Sequence, residues 1–406
     1  MLSHSPARRR VQFLPILSNV SLAAAAVVLA LGAAEVLLRT AVPPTRGYSV
    51  LPPGANWTLS PAPGLLHGVG GVSHVRVNRS GVRGRPFGHD GAEYRILAVG
   101  GSTTLCRALD DSEVWTHVLE VDLARTADGR PVWVGNVGRD GMTTRDHVLH
   151  LKYLLPQYPR MDIVVSLVGA NDMVSALQQG WQYRPPAPVT ELSAEREQVP
   201  RAFAVVPGRL QDPVTSRAGR GPWFKATALW QLGRRAKLAL RRQRTIRMGV
   251  AGKDPLEVAR VARANAPKID SLPSLTAPLT EYRRNLNAMA DLAVAARVQL
   301  VFVTQPSAWR EGMPGAEERQ LWLGSVATGR AYFTTRALAR AMARYNAMVL
   351  EVCRQRGLTC VDAASVLPHD ITAMYDDVHL NEQGSRLLAR ALAEHLRKQA
   401  PFRRPT

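Results

Sequence analysis

A serine, a histidine and an aspartate are the residues of this 406-residue chain that could most readily do chemistry together. Ser102 follows four apolar residues in a row, and Asp376 precedes His379 by three positions. A serine hydroxyl is a weak nucleophile and needs an imidazole to accept its proton, while a carboxylate orients that imidazole. Three positions on a turn bring a carboxylate to one ring nitrogen and leave the other free. These residues predict acyl transfer through a serine nucleophile.

The same chemistry needs hydrogen-bond donors for the oxyanion of a tetrahedral intermediate, and one such donor contributes about 3 kcal/mol in the transition state. We expect the main-chain N–H groups of Ser102 and Gly141 and the side-chain amide of Asn171 to supply them. Gly138 is the alternative to Gly141. All of these residues follow predicted strands, where parallel sheets place their ligands.

Each residue also has a simpler explanation when it is considered alone. Residues 100–102 (Gly-Gly-Ser) could be a tight turn whose serine caps a helix, and Asn171 could close a turn before Asp172 caps the next helix. His379 could be a surface residue ahead of the last helix. The arrival of all of them in order, each after a strand, favours a common site.

Strands that alternate with helices predict a parallel, doubly wound sheet that positions these residues. The apolar runs that predict its strands are residues 94–100, 131–136, 162–168, 298–304 and 359–362. The periodic segments that predict its main helices are residues 112–127, 143–156, 280–297, 335–356 and 382–398.

These motifs resemble, in order, the conserved blocks of the SGNH hydrolases, also called the GDSL esterase/lipase superfamily. The matching segments are Gly100-Gly101-Ser102, the loop with Gly138 and Gly141, Gly169-Ala170-Asn171-Asp172, and Asp376-Asp377-Val378-His379. The family has Gly-Asp-Ser in its first block, so this chain carries Gly101 in place of the aspartate. The resemblance covers roughly 94–172 and 280–398, and it indicates a membrane-anchored, bacterial type of SGNH hydrolase.

The resemblance implies an α/β fold, a flavodoxin-like three-layer α/β/α domain whose five parallel strands have the order 2-1-3-4-5. It implies a serine esterase that works through an acyl-enzyme, with Ser102 as nucleophile, His379 as acid and base, and Asp376 orienting His379. Gly101 removes no catalytic group. It does separate this chain from the best-characterised lipolytic members, so their substrates should not be copied.

The amino terminus predicts a membrane anchor. Residues 14–34 are mostly apolar and about long enough to cross a bilayer as a helix. Arg8, Arg9 and Arg10 precede them, which favours a cytoplasmic amino terminus. Length favours an uncleaved anchor over a cleaved signal peptide or a buried soluble helix. We therefore expect a single-pass protein of the inner (cytoplasmic) membrane with its catalytic domain on the periplasmic or extracytoplasmic side.

The remaining organisation follows from composition. Residues 1–41 are the cytoplasmic tip and transmembrane anchor, and residues 42–92 are a linker that lies on the domain, with a possible edge strand or hairpin at 74–82. The hydrolase domain comprises 93–172 and 280–400. Residues 173–279 form a basic, largely helical or irregular insertion in which the sequence shows no convincing strand.

The charge of the chain is concentrated in that insertion. The chain has 52 Lys or Arg and 32 Asp or Glu residues, a formal net charge of +20, and residues 201–250 hold twelve of the basic residues against one aspartate. The stretch 223–248 could be an amphipathic helix on an anionic membrane, a binding site for an anionic polymer, or simply a solvated face. A basic balance alone does not indicate nucleic acid, and we expect no nucleic-acid partner.

The cysteines and the missing motifs limit the cofactors. Cys106 is expected to be a small buried residue. Cys353 and Cys360 are close enough in sequence to pair, but the odd count and the change from helix to strand between them favour free thiols. The sequence has no metal-ligand spacing and no phosphate loop with a lysine, so we expect neither a metal nor a cofactor.

A site outside the membrane makes an acylated cell-envelope glycan or lipid the expected ester substrate. Two other functions remain open from sequence. One is an O-acyltransferase that passes the acyl group to a sugar hydroxyl. The other is a non-catalytic module that binds glycan or membrane and retains the fold.

Overall fold

The computed structural model describes residues 14–41, 46–88, 91–208, 224, 227–240, 243–248, 254–326 and 329–403. The chain divides into two compact units. The first comprises Met1–Arg46 and Pro207–Lys237, and the second comprises Gly47–Val206 and Leu238–Thr406.

The second unit is built on a five-stranded parallel sheet. Its strands in chain order are β1 (Tyr94–Gly100), β2 (Val132–Asn136), β3 (Ile163–Leu167), β4 (Gln299–Val303) and β5 (Thr359–Val361). Their order across the sheet is β2-β1-β3-β4-β5, and every pairing is parallel. Because β1, β2 and β3 are buried along their whole length, the sheet must be covered on both faces. The predicted strand order is confirmed.

Helices cover the sheet in two layers. Trp115–Leu123 packs with Glu382–Arg397, and Thr144–Leu154 packs with Thr276–Ala296, which also contacts Thr335–Arg356. Among the described residues, this unit also contains the helices Ser102–Leu105, Ala170–Gln179, Gly180–Gln182 (3-10), Leu192–Ala202, Pro255–Asn265, Gly315–Glu318 and Ala363–Val366. The result is the expected three-layer α/β architecture.

Two small sheets flank the main one. Strand Asn56–Pro61 pairs antiparallel with Ser73–Arg76 and parallel with Gln243–Met248. The expectation that residues 173–279 hold no strand is therefore wrong at 243–248, which pairs along the edge of 56–61 opposite Ser73–Arg76, and again at Lys268–Ile269. In the second small sheet, Ala331–Phe333 pairs with Lys268–Ile269 and Ser325–Val326.

The first unit contains the amino-terminal helix, Leu14–Ala41. Its portion Asn19–Ala41, 23 residues long, is apolar enough to cross a membrane, and none of its residues is buried. By length and composition it fits a signal anchor or a transmembrane span. A second helix, Ala228–Leu240, begins in this unit and accounts for the helical part of the predicted basic stretch.

Cys353 and Cys360 form a disulfide, with Cα atoms 6.2 Å apart, so the prediction of free thiols is wrong. The helix ends at Arg356, and Gly357 takes a left-handed φ of 61°. The chain then turns back as β5, which brings Cys360 beside the last helical turn. Cys106 is a free, buried cysteine as predicted, and burial raises the pKa of its thiol to about 12.

Candidate active site

The turn between β1 and helix 102–105 presents Ser102 at the carboxyl edge of the sheet. Close packing explains its two glycines. A Cβ on Gly100 would lie 2.0 Å from Thr104 Oγ1, and a Cβ on Gly101 would lie 2.4 Å from Asn171 Nδ2. Both distances are far below van der Waals contact, so the turn depends on the absence of side chains there.

The structure brings Ser102, His379 and Asp376 into one hydrogen-bonded row. Ser102 Oγ lies 2.8 Å from His379 Nε2, and His379 Nδ1 lies 2.8 Å from Asp376 Oδ2. If Nδ1 carries the proton and donates to the carboxylate, Nε2 is free to accept the serine proton. The tautomer is assigned from this network. The arrangement is the one that nucleophilic serine chemistry requires.

Asp376 is almost completely buried, with 1% of its surface exposed. Its Oδ1 accepts the main-chain N–H groups of Val378 and His379 over 3.1 and 3.0 Å, and its Oδ2 accepts the indole N–H of Trp322 over 2.9 Å. Burial acts to raise its pKa, but the charge and hydrogen bonds of His379 and the Trp322 bond lower the pKa of Asp376 below its ordinary value. Asp376 is thus held as a carboxylate.

The imidazole of His379 is nearly parallel to two neighbouring aromatic rings. The ring centroid of Trp322 is 6.3 Å away with an interplanar angle of 2°, and that of Tyr375 is 5.5 Å away with an angle of 9°. Burial acts to lower the pKa of His379, but the Asp376 carboxylate raises it above its ordinary value through charge and hydrogen bonding. His379 is consequently a stronger base than a free imidazole.

A second buried carboxylate, Asp377, fixes the chain that carries Trp322. It accepts the indole N–H of Trp309 over 2.8 Å and the main-chain N–H groups of Trp322 and Leu323 over 2.7 and 3.1 Å. Burial and the neighbouring Asp376 raise the pKa of Asp377. Sequence reasoning missed both tryptophans, because they lie in a segment without clear periodicity and their indole N–H partners are distant in sequence.

Two arginines of helix Pro255–Asn265 place positive charge near the buried carboxylates of Asp376 and Asp377. Arg260 donates to the main-chain carbonyls of Gln320 and Tyr375, and Arg263, 1% exposed, donates to those of Leu323 and Phe333. Their charges lie close enough to Asp377 to oppose the desolvation of its carboxylate. The insertion therefore supports the site, a role that its composition did not indicate.

The loop after β2 supplies one candidate oxyanion donor. Gly141 has a left-handed φ of 74°, and its N–H has no hydrogen-bond acceptor among the residues that the structure describes. The Gly138 N–H, in contrast, donates to Asn136 Oδ1 over 2.8 Å and is occupied. The geometry favours Gly141 over Gly138.

Asn171 stands beside the serine turn as the sequence predicts. Its Nδ2 donates one hydrogen to the carbonyl of Met142 over 2.8 Å, which ties it to the Gly141 loop and leaves the second hydrogen for a ligand. The next residue, Asp172, accepts the N–H and hydroxyl of Thr144 over 3.1 and 2.5 Å. Burial and nearby acids outweigh those bonds and raise the pKa of Asp172 to about 7.

Across the described part of the chain, no three His, Cys, Asp or Glu side chains are grouped so that they could hold a metal ion. The side chains brought together at the candidate site are a serine hydroxyl, an imidazole, a buried carboxylate and a side-chain amide.

Residues 98–387 match the model of the GDSL-like Lipase/Acylhydrolase family, and this span is more than two thirds of the chain. The chain belongs to this family. As a GDSL-family protein of the SGNH type, it is a serine hydrolase that acts on ester bonds.

Solved structures with a similar fold are distant from this GDSL-family chain. A lipolytic G-D-S-L family protein from Veillonella parvula DSM 2008 is 11% identical with a TM-score of 0.38, covering 75% of this chain and 100% of that one. Axe2, an acetylxylan esterase from Geobacillus stearothermophilus, is 14% identical with a TM-score of 0.37, covering 74% and 93%. A putative lipolytic G-D-S-L family protein from Desulfitobacterium hafniense DCB-2 is 11% identical with a TM-score of 0.36, covering 74% and 99%. Comparison with curated proteins finds no match.

Proposed function

We propose that this GDSL-family hydrolase cleaves its ester through a covalent acyl-enzyme on Ser102. The observation that carries the proposal is the hydrogen-bonded row from Ser102 Oγ through His379 to Asp376, with both links 2.8 Å long. In this proposal Ser102 is the nucleophile, His379 is the general base and acid, and Asp376 orients His379.

In the first half-reaction, Ser102 Oγ attacks the ester carbonyl carbon while its proton passes to His379 Nε2. The carbonyl oxygen becomes an oxyanion that the N–H groups of Ser102 and Gly141 and the free hydrogen of Asn171 Nδ2 stabilise. The C–O bond to the leaving alcohol then breaks, and the imidazolium of His379 protonates that alcohol. Asp376 holds the imidazole and stabilises its cation.

In the second half-reaction, water attacks the acyl carbon and gives its proton to His379. Ser102 leaves as the hydroxyl when His379 returns that proton, and the product is the free acid. The raised pKa of His379 suits both proton transfers, because a base and its conjugate acid work best when their pKa is near the working pH.

We also propose the cellular setting. The helix Asn19–Ala41 would anchor the chain in the inner membrane, with residues 8–10 on the cytoplasmic side and the catalytic unit on the periplasmic side. An acyl group on a cell-envelope glycan or lipid would then be the substrate within reach. The basic segment 201–250 would bind an anionic lipid or an anionic polymer.

A fluorophosphonate probe tests the nucleophile. It should label the wild-type protein and fail to label Ser102→Ala, and both Ser102→Ala and His379→Ala should lose turnover of short aryl esters while keeping their melting temperature. Equal turnover by Ser102→Ala and wild type would refute the assignment, and a folded wild type that is never labelled would indicate a non-catalytic binding module.

Product analysis distinguishes hydrolysis from transfer. Incubation with an acylated glycan and an excess of an unacylated sugar should release free acid. Quantitative appearance of the acyl group on the added sugar would instead identify an O-acyltransferase that uses the same acyl-enzyme.

A further inference from the structure

The second helix of the first unit begins on the membrane helix itself. The carboxylate of Glu35 accepts the main-chain N–H groups of Ala228 and Leu229, over 2.7 and 3.0 Å. N–H groups in the first turn of a helix, here Ala228–Leu240, have no acceptor within the helix itself. The helix dipole also favours a negative charge at this end. Glu35 also pairs with Arg39, at the end of the apolar stretch. The two helices thus meet within the last two turns of the apolar segment Asn19–Ala41.

Helix Ala228–Leu240 exposes large apolar side chains. Trp230 is 45% exposed, Leu232 38% and Leu240 82%. The ring of Phe224, which precedes the helix, lies edge-on to that of Trp230, with centroids 5.3 Å apart. Tryptophan and other amphipathic aromatic residues concentrate where hydrocarbon meets water at a membrane surface.

Apart from Gln231, the polar residues of the same helix are basic. Its sequence holds Arg234, Arg235 and Lys237 and no acidic residue. At 100° per residue, positions 229, 232, 236 and 240 share an apolar face, and the basic positions 234, 235 and 237 lie outside it. Trp230 lies beside position 237, and position 238, a leucine, lies among the basic positions. A helix that combines an apolar face with several basic residues is typical of segments that lie in the plane of an anionic bilayer.

We propose that helix Ala228–Leu240 is an interfacial helix that lies on the anionic lipid surface from which the anchor emerges, held at its first turn by Glu35. The inference rests on the proposed membrane anchor and deepens the proposed partner of the basic segment. An anionic polymer would satisfy the basic residues, but it would leave Leu232, Leu240 and Trp230 in water. The exposed apolar residues therefore favour lipid.

The test uses the full-length protein in lipid nanodiscs that carry a spin-labelled acyl chain as quencher. A fluorophore on Leu232→Cys reports contact with lipid, a fluorophore on Leu29→Cys in the anchor gives the fully inserted signal, and Leu192→Cys on the second unit gives the background signal. These three positions are 38%, 73% and 60% exposed. The unmodified protein measures any labelling of the buried Cys106.

Quenching at Leu232 should approach that at Leu29 in discs with phosphatidylglycerol, and should fall towards the Leu192 level when Arg234, Arg235 and Lys237 are all changed to Gln. Glu35→Ala should also reduce quenching at Leu232 but not at Leu29. Background-level quenching at Leu232 in anionic discs, with Leu29 quenched, would overturn the proposal. So would protection of the Leu232 label by an added polyanion but not by lipid.

Turnover of a short aryl ester is measured in the same discs. None of the changed residues belongs to the proposed catalytic row, so turnover should persist in every sample. Lipid contact without any turnover would contradict the proposed esterase and leave the interfacial helix standing, which keeps the two conclusions separate.

Discussion

Trp322 donates its indole N–H to Asp376 Oδ2 over 2.9 Å. Asp376, the proposed orienting acid, is thereby held from a segment, residues 305–326, that lies between the fourth strand and the next long helix. The main-chain N–H of the same tryptophan donates to Asp377, so one residue is fixed to both carboxylates. The orientation of the proposed base depends on this segment as well as on its own loop.

We expect Trp322→Phe to lower kcat about tenfold or more, because a hydrogen bond to a charged group contributes about 1.5–3 kcal/mol. The loss also leaves the Asp376 charge less well satisfied, so His379 should be more easily protonated. The acid limb of kcat/KM should therefore move to higher pH, which steady-state kinetics over a pH series will measure.

Trp309→Phe is the matched control, since it removes an indole N–H from Asp377 instead. It should lower the melting temperature and leave the acid limb in place. Identical pH profiles for the wild type and Trp322→Phe would show that the indole does not act through Asp376.

Asp376→Asn should reduce kcat by about 10³-fold to 10⁴-fold, as loss of the orienting carboxylate does in serine triads. The wild-type pKa of His379 is raised by Asp376, so activity should fall as the pH drops through a value above the ordinary imidazole pKa of about 6.5. Without the carboxylate that pKa falls, and the acid limb should move to lower pH. An unmoved limb in the Asn variant would mean that another group sets it.

Gly101→Ala should lower kcat by about 10²-fold to 10³-fold, the cost of one oxyanion donor. The new Cβ would lie 2.4 Å from Asn171 Nδ2, so the amide must leave its position. Gly315→Ala, whose Cβ would meet nothing closer than 3.8 Å, is the control and should keep full activity. Restoring the family's aspartate by Gly101→Asp should harm activity in the same way, and an active Gly101→Asp variant would contradict this account of the turn.

Asp172→Asn should change how stability depends on pH. The pKa of Asp172 is about 7 in the folded protein, raised chiefly by burial, against an ordinary value of about 3.9. The group therefore stabilises the fold below about pH 4, and this contribution is lost as the pH rises through 7. Thermal unfolding from pH 4 to 8 should show the wild type losing stability relative to the Asn variant, whereas parallel curves would rule the effect out.

The sequence contains most of the information that locates the main sheet and the candidate site. Buried parallel strands are near-continuous apolar runs, so β1 and β3 are visible without a structure. Ser102, Asn171 and His379 follow strands or precede the last helix, and the sheet topology then forces them to one edge. The order of the motifs was sufficient to indicate the family, because the order is kept although Gly101 replaces the aspartate of the first motif.

The missed features are contacts between segments that lack a periodic pattern. Trp322 meets Asp376 across 54 positions, and strand 243–248 pairs with 56–61 across a far longer stretch. The error about Cys353 and Cys360 has a similar origin, because the turn at Gly357 decides whether the six intervening residues bring the two sulfurs together. Local composition does not encode such pairings.

The strand at 56–61 has a practical consequence for anyone who excises the hydrolase. It lies upstream of residue 98, where the family match begins, yet it is the pairing partner of 243–248. Nearby, Gly70 donates its N–H to the side chain of Glu382, three positions beyond His379. A fragment cut at residue 98 would expose the edge of 243–248 to other chains and would lose the hydrogen bond from Gly70 to Glu382, the first residue of helix Glu382–Arg397. The family match begins at residue 98, but the folded unit also includes strand 56–61. We expect a fragment that begins at residue 98 to aggregate.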